Sequence, residues 1–162
     1  MTFCAAVDFG RDDGGMTDQL SSFREMASLD HGLCVVSMLR ADGSIAASVV
    51  NAGVMQHPHT GADVVAFVAR GIRKLEHLRA DARVTVVARA GWRWAAVEGT
   101  AELFGPDDPH PDLDREGLRL LLRNVFVAAG GSHDDWDTYD RTMADERSAA
   151  VLVRPVRTYP TA

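Results

Sequence analysis

The stretch DVVAFVARGIRKLEHLRADARVTVVARAGWRWAAVEGTAELF, residues 63–104, decides the fold. Residues 63–70 are mostly apolar and rich in valine, the composition of a buried strand. At Gly71 the period changes: Ile72, Leu75 and Leu78 recur at spacing three, which predicts a short helix over 71–79. A strand over 83–89 follows, then a turn at residues 90–91 and a long strand over 93–104. That last strand presents Ala95, Val97, Gly99, Ala101 and Leu103 on one face, with Gly99 marking a bulge or a close backbone approach.

Upstream, LCVVSMLR at 33–40 is continuous in apolar character, like a strand covered on both sides. Asp42 and Gly43 form a two-residue hairpin signal, and the return strand runs over 44–51. QHPHTGA at 56–62 is dense in turn residues. Before the first strand, Leu20, Phe23 and Met26 share one face of a helix over 19–28, with Thr17 or Asp18 as its cap. Downstream of the loop at 105–112, Leu118, Leu121, Leu122, Val125 and Phe126 form the buried stripe of one helix, which Gly130 and Gly131 stop. A second helix over 132–147 opens at Ser132 with Asp135 as a capping-box pair and carries Trp136, Tyr139 and Met143 inward. A sixth strand over 149–156 closes the chain. Short antiparallel strands with one brief helix between the third and fourth indicate a mostly-β barrel with peripheral helices.

The 162 residues suit one domain, here 16–162 with a helical excursion at 105–147. Residues 1–15, rich in Gly and Asp and without periodicity, read as a disordered tail. Hydrophobic residues make up 46% and charged residues 25%, the balance of a protein with a core. With 17 Lys and Arg against 23 Asp and Glu, the net charge is 17 − 23 = −6, which argues against nucleic acid as a partner. No apolar run reaches the ~20 residues of a membrane span. The first residues lack the apolar segment of a signal peptide, so a cytoplasmic location is expected. Cys4 and Cys34 give no disulfide framework, and Cys34 reads as a small buried hydrophobe.

One helix start breaks the usual charge rule. A helix N-terminus is partly positive and favours acids in its first turn. The 132–147 helix obeys, with Asp134, Asp135 and Asp137. The 71–79 helix does the reverse: Arg70 precedes Gly71, and Arg73 and Lys74 follow at once. Unpartnered amides, a glycine permitting close approach and three cations gather there, an arrangement that becomes favourable when an anion binds. A phosphate or carboxylate site at residues 71–74 follows, with Arg79 and Arg83 adding positive charge nearby. No GxxxxGK[ST] or GxGxxG motif accompanies it.

VVSMLRADGSIAASVVNAG, RKLEHLRADARVTVV, GWRWAAVEGTAEL and HDDWDTYDRTMADERSAAVLVRPVRTY, in this order, resemble the split β-barrel flavin and deazaflavin oxidoreductases, the pyridoxamine 5′-phosphate oxidase-like proteins. The likeness covers roughly residues 20–159 and is nearer to the actinobacterial branch that uses coenzyme F420. It implies an antiparallel split β-barrel, a homodimer with the cofactor in a groove between subunits, and F420 as cofactor, with FMN as the alternative. It also implies that Arg73 and Lys74 hold the cofactor phosphate. Ser48, Val50 and Asn51 would line the floor under the ring, with Val68, Ala69, Arg70 and Gly71 beside it and Trp92 and Trp94 reaching the ring region. Arg79, Arg83 or Arg93 would meet the polyglutamate tail of F420. The Arg-Leu-x-Pro ending of true pyridoxamine phosphate oxidases is absent, the nearest stretch being VRPVRTYP. The implied activity is hydride transfer from F420H2 to a small unsaturated or electrophilic molecule. The protein supplies position and a dry pocket rather than a nucleophile. Tyr139, His57 or water would serve as proton donor. The alternatives are an FMN enzyme of the same fold and a non-catalytic carrier of F420, flavin or haem.

Other polar groups have simpler readings. His57 and His59, at i, i+2 on a turn without a third ligand in sequence, read as solvent-facing, and no metal site is expected. His133, Asp134 and Asp135 are explained as helix-start residues, and His77 as a surface residue. Glu98 and Glu102 lie ~13 Å apart along a strand, too far for a glycosidase pair. Trp92 and Trp94 share a strand face and suit an interface as well as a ring contact.

Overall fold

Among residues 19–159, which the computed structural model describes, strands and helices follow in the order α1 (Ser21–Leu29), β1 (Leu33–Leu39), β2 (Ile45–Gln56), β3 (Asp63–Ala69), α2 (Ile72–Ala80), β4 (Arg83–Ala90), β5 (Arg93–Phe104), α3 (Arg115–Ala128), α4 (Trp136–Asp145) and β6 (Ala149–Tyr159). The tail at 1–15, with Cys4, and the cap candidates Thr17 and Asp18 lie outside the described residues. All strand pairs are antiparallel, in the order β1-β2-β3-β6-β5-β4, and β4 returns to β1 to close the barrel. The mostly-β barrel with peripheral helices is thus the observed architecture.

Period-two burial explains the interior. Cys34, Val36 and Met38 of β1, Val65, Phe67 and Ala69 of β3, and Val84, Val86 and Ala88 of β4 point into one core, joined by Ala95, Val97 and Ala101 of β5. Phe23 and Met26 of α1 and Leu75 and Leu78 of α2 enter the same core. Burial pushes the Cys34 thiol up to about 12, so it is the inert hydrophobe its setting suggests. A second apolar layer lies outside the barrel. Val64 and Ala66 of β3, Phe104 of β5, and Ala150 and Leu152 of β6 pack against Leu121, Leu122 and Val125 of α3 and Tyr139 and Met143 of α4. The 105–147 excursion is therefore packing on the sheet's outer face. Asp140 of α4 holds it, accepting from Arg123 Nε at 2.8 Å and Nη2 at 2.5 Å and from Arg119 Nη1 at 2.7 Å.

Several local readings are corrected. The first hairpin has a three-residue loop, with Leu39 opposite Ile45, Arg40 N–H donating to Ser44 and Gly43 at φ +82°. Glycine's freedom at positive φ favours this bulged turn over the two-residue form, and the register moves by one. β1 is covered on one side only: Leu33 and Val35 stay exposed beside Ile45 and Val49 of β2. The second hairpin turns on Gly91 and Trp92, since Ala90 pairs with Arg93. Trp92 therefore sits at the tip, fully exposed, and shares no strand face with Trp94. α4 starts later than expected: Asp135, not Ser132, is its cap, accepting from Thr138 N–H at 3.0 Å. Opposite Gly99, β6 carries one extra residue, with Glu98 facing Arg157 and Gly99 facing Pro155. Proline lacks the N–H that a regular ladder would need there, which suits a bulge.

The end of α3 rests directly on backbone. A Cβ on Gly53 would stand 1.9 Å from the carbonyl oxygen of Ala128, so only glycine lets β2 and α3 meet. Gly53→Ala is expected to destabilise the chain by about 1–3 kcal/mol or more, because rigid backbone on both sides must move apart. Thermal unfolding followed by circular dichroism checks this, and an unchanged midpoint would contradict the contact.

Candidate functional site

Where β3 runs into α2, the chain must leave the sheet and start a helix within two residues. Gly71 makes the turn at φ +82° and ψ 145°, and no side chain caps the helix behind it. The first amides of α2 are left without a helix partner. No atom lies near the position a Gly71 side chain would take, so φ demands the glycine and the backbone stays open above it.

A cleft of about 380 Å³ opens at this point. Its lining joins Arg70, Gly71, Ile72, Arg73, Lys74 and His77 to Met38 of β1 and Ala46, Ala47 and Ser48 of β2. The hairpin register carries β2 there, since Met38 faces Ala46 and Val36 faces Ser48. The Ser48 hydroxyl is buried without a hydrogen-bond partner among the described residues. A buried hydroxyl left unpaired is costly, and one beside two cations points to a missing acceptor.

The charges around the cleft divide sharply. Arg70 faces Glu146 at 3.4 Å. Arg79 grips Asp108 through two bonds of 2.8 and 2.7 Å, Arg83 folds back on Asp81, and Arg93 donates to Glu25 at 2.6 Å. The arginines expected to meet an acidic tail are thus paired within the chain. Among the described residues no carboxylate pairs with Arg73 or Lys74. Burial lowers the Lys74 pKa, because the ammonium is partly removed from water with nothing to offset the loss.

Of the residues expected at the site, the structure brings together Ser48, Arg70, Gly71, Arg73 and Lys74. It does not bring the others to the cleft. Val50 points into the barrel core one step beyond Ser48, and Ala69 is buried in the same core. Val68 faces the α3–α4 layer. Asn51 lies on the outer face and donates from its amide to the His31 carbonyl at 2.9 Å. Trp92 stands on the hairpin tip, and Trp94 leans on Tyr159 with ring centroids 6.3 Å apart. Strand parity turns Asn51 and Val68 away, since neighbours in sequence face opposite sides of a sheet, while Val50 and Ala69 lie deeper in the barrel. Met38, Ala46, Ala47, Ile72 and His77 were missed. The correct hairpin register would have found Met38 and Ala46. His77 is half-buried in the cleft wall, one helical turn after Arg73, a spacing visible in sequence.

The proposed proton donors also move. Tyr139 is buried under α3, donates to the Leu122 carbonyl at 3.2 Å, and burial pushes its phenol up to about 12. His57 is buried rather than solvent-facing, and its Nε2 lies 3.0 Å from Glu102. Neither lines the cleft.

No family model matches the chain. Solved structures share its fold. A pyridoxamine 5′-phosphate oxidase-related, FMN-binding protein from Nostoc punctiforme aligns with a TM-score of 0.56 at 11% identity, over 84% of this chain and 77% of that one. An F420 reductase aligns with a TM-score of 0.53 at 14% identity, over 82% and 94%. The haem storage protein HutZ from Vibrio cholerae aligns with a TM-score of 0.53 at 9% identity, over 90% and 96%. The class of structure is therefore the pyridoxamine 5′-phosphate oxidase-like split barrel. At these identities the likeness concerns architecture, and FMN, F420 and haem each appear among proteins that share it. No helix among the described residues is long and apolar enough to cross a membrane.

The cleft makes a pH-dependent prediction. A lysine whose pKa is lowered loses its charge, and with it anion affinity, sooner as pH rises. Affinity for inorganic phosphate should therefore fall as pH rises, and should begin to do so below the ordinary lysine pKa of about 10.4. Lys74→Arg should remove that fall, because guanidinium stays charged throughout. Calorimetric titration at several pH values checks both statements, and a flat wild-type profile would contradict them.

Proposed function

We propose that the chain is an oxidoreductase that uses the reduced deazaflavin F420H2 to reduce a small unsaturated or electrophilic molecule. One observation carries the reading: the cleft gathers a buried unpaired hydroxyl, uncapped helix amides and two cations without carboxylate partners. That donor set suits a phosphate, which accepts several charge-assisted hydrogen bonds at once. Arg73, Lys74, Ser48 Oγ and the amides after Gly71 would hold the cofactor phosphate. Met38, Ala46 and Ala47 supply an apolar wall. When bound, the reduced deazaflavin supplies a hydride to an electron-poor carbon. His77, rather than Tyr139 or His57, is the ring in the cleft wall placed to pass a proton.

The second reading is an FMN enzyme, or a non-catalytic carrier of F420, flavin or haem, in the same cleft. The FMN-binding and haem-storage proteins of like architecture favour it. The purified chain is titrated with F420, FMN and haem. Arg73→Ala with Lys74→Ala should weaken the phosphorylated cofactors by about tenfold or more, since each charge-assisted bond contributes ~1.5–3 kcal/mol. Unchanged affinity would remove the phosphate seat. F420H2 should then be oxidised when quinone or enone acceptors are added, whereas binding without turnover would favour a carrier.

A homodimer belongs to the same proposal. The exposed apolar row of Leu33, Val35, Ile45 and Val49 on adjacent strands suits a second copy. Sedimentation should give twice the 17.5 kDa chain mass. Val35→Lys with Val49→Lys should give the single-chain mass. A wild-type monomer at micromolar concentration would contradict the dimer.

A further inference from the structure

The turn after β2 and the loop after β5 meet away from the cleft and bring histidines together. His57 organises the turn. Its buried ring accepts the N–H groups of His59 and Thr60 on Nδ1, at 3.2 and 3.3 Å, which leaves the proton on Nε2 for Glu102. The turn closes through Gly61 N–H to the His57 carbonyl at 2.9 Å. His59 is thereby held out over Phe104, stacked with centroids 5.9 Å apart. From the other side, the loop's His110 stacks on His59 at 4.6 Å. His110 and Leu113 form a bridge across the short turn that contains Asp112.

From this geometry we infer that His59, His110 and Asp112 form a binding site for a divalent first-row transition metal such as Zn²⁺. One ligand atom from each residue lies within 4.8 Å of the others, so modest side-chain rotation brings all three onto one ion. Two imidazoles and a carboxylate are the donor set that zinc, cobalt and nickel accept. The tautomer agrees. Nε2 of His110 faces Glu102 Oε1 at 3.7 Å, while Nδ1 meets the Asp112 N–H only at a long 3.4 Å. Nδ1, which accepts that N–H, is the unprotonated nitrogen and can ligate once the long Asp112 contact gives way, with Glu102 on the Nε2 side of the ring beyond direct hydrogen-bond distance. His59 and Asp112 are exposed, so an ion can enter and keep water in its open positions. None of the three lines the anion cleft, and the site stands independently of the redox reading. Bound metal would tie the β2–β3 turn to the loop that leads into α3.

The test uses the full untagged chain, stripped with a chelator and titrated with Zn²⁺ against a chromophoric competitor, and with Co²⁺ followed by its visible absorption. One equivalent should bind, the Co²⁺ spectrum should show nitrogen ligation, and Zn²⁺ should raise the unfolding temperature. His59→Ala and His110→Ala should each lower affinity by at least about tenfold. His133→Ala, at the start of α4, should leave it unchanged. Asp112→Asn, on an exposed turn, serves as the third variant should a histidine variant fail to fold. Absence of stoichiometric binding by the wild type overturns the site, and so does binding that survives these substitutions.

Discussion

The pairing of β4 with β1 is the constraint on which the rest of the molecule depends. Cys34–Met38 lie against Val84–Ala88, and this contact turns a six-stranded sheet into a closed barrel. It also decides where α2 can go. The helix links β3 to β4, so closure draws it across one end of the barrel, where Leu75 and Leu78 enter the core. Its first turn is thereby set against Met38 of β1 and Ser48 of β2. Closure also removes the two open edges that a flat sheet would expose.

Charge distribution then gives that position its chemistry. The chain is acidic, and four arginines considered for the site find carboxylates within reach. Asp108, Asp81, Glu25 and Glu146 take up Arg79, Arg83, Arg93 and Arg70. Arg73 and Lys74 keep their charge unanswered among the described residues, beside amides that already carry partial positive charge. The cleft thus keeps two cations without carboxylate partners among the described residues.

Much of this was legible in the residues. The 93–104 strand has the bounds read from its pattern, and the strands beginning at Asp63, Arg83 and Ala149 start where expected. The reversed polarity at Gly71 singled out residues that line a cleft, because helix-start charge is a rule about adjacent residues. The hairpin register was one residue out, since Asp42–Gly43 suits both a two-residue turn and a three-residue bulged turn. Val50, Asn51, Val68 and Ala69 were expected from the family resemblance, and strand alternation sends Asn51 and Val68 to other faces while Val50 and Ala69 lie deeper in the core. Trp92 does not share the expected face with Trp94 because the turn comprises Gly91 and Trp92 rather than residues 90–91.

The sequence by itself determined the order of strands and helices, the mostly-β class and the cationic helix start. Each of these rests on spacing or charge within a few neighbouring positions. Only the tertiary structure decided that Ser48 joins Arg73 and Lys74, that the nearby arginines are already paired, and that His59 meets His110 and Asp112. Those juxtapositions join residues far apart in the chain, and they exist because barrel closure and register bring distant segments to one place.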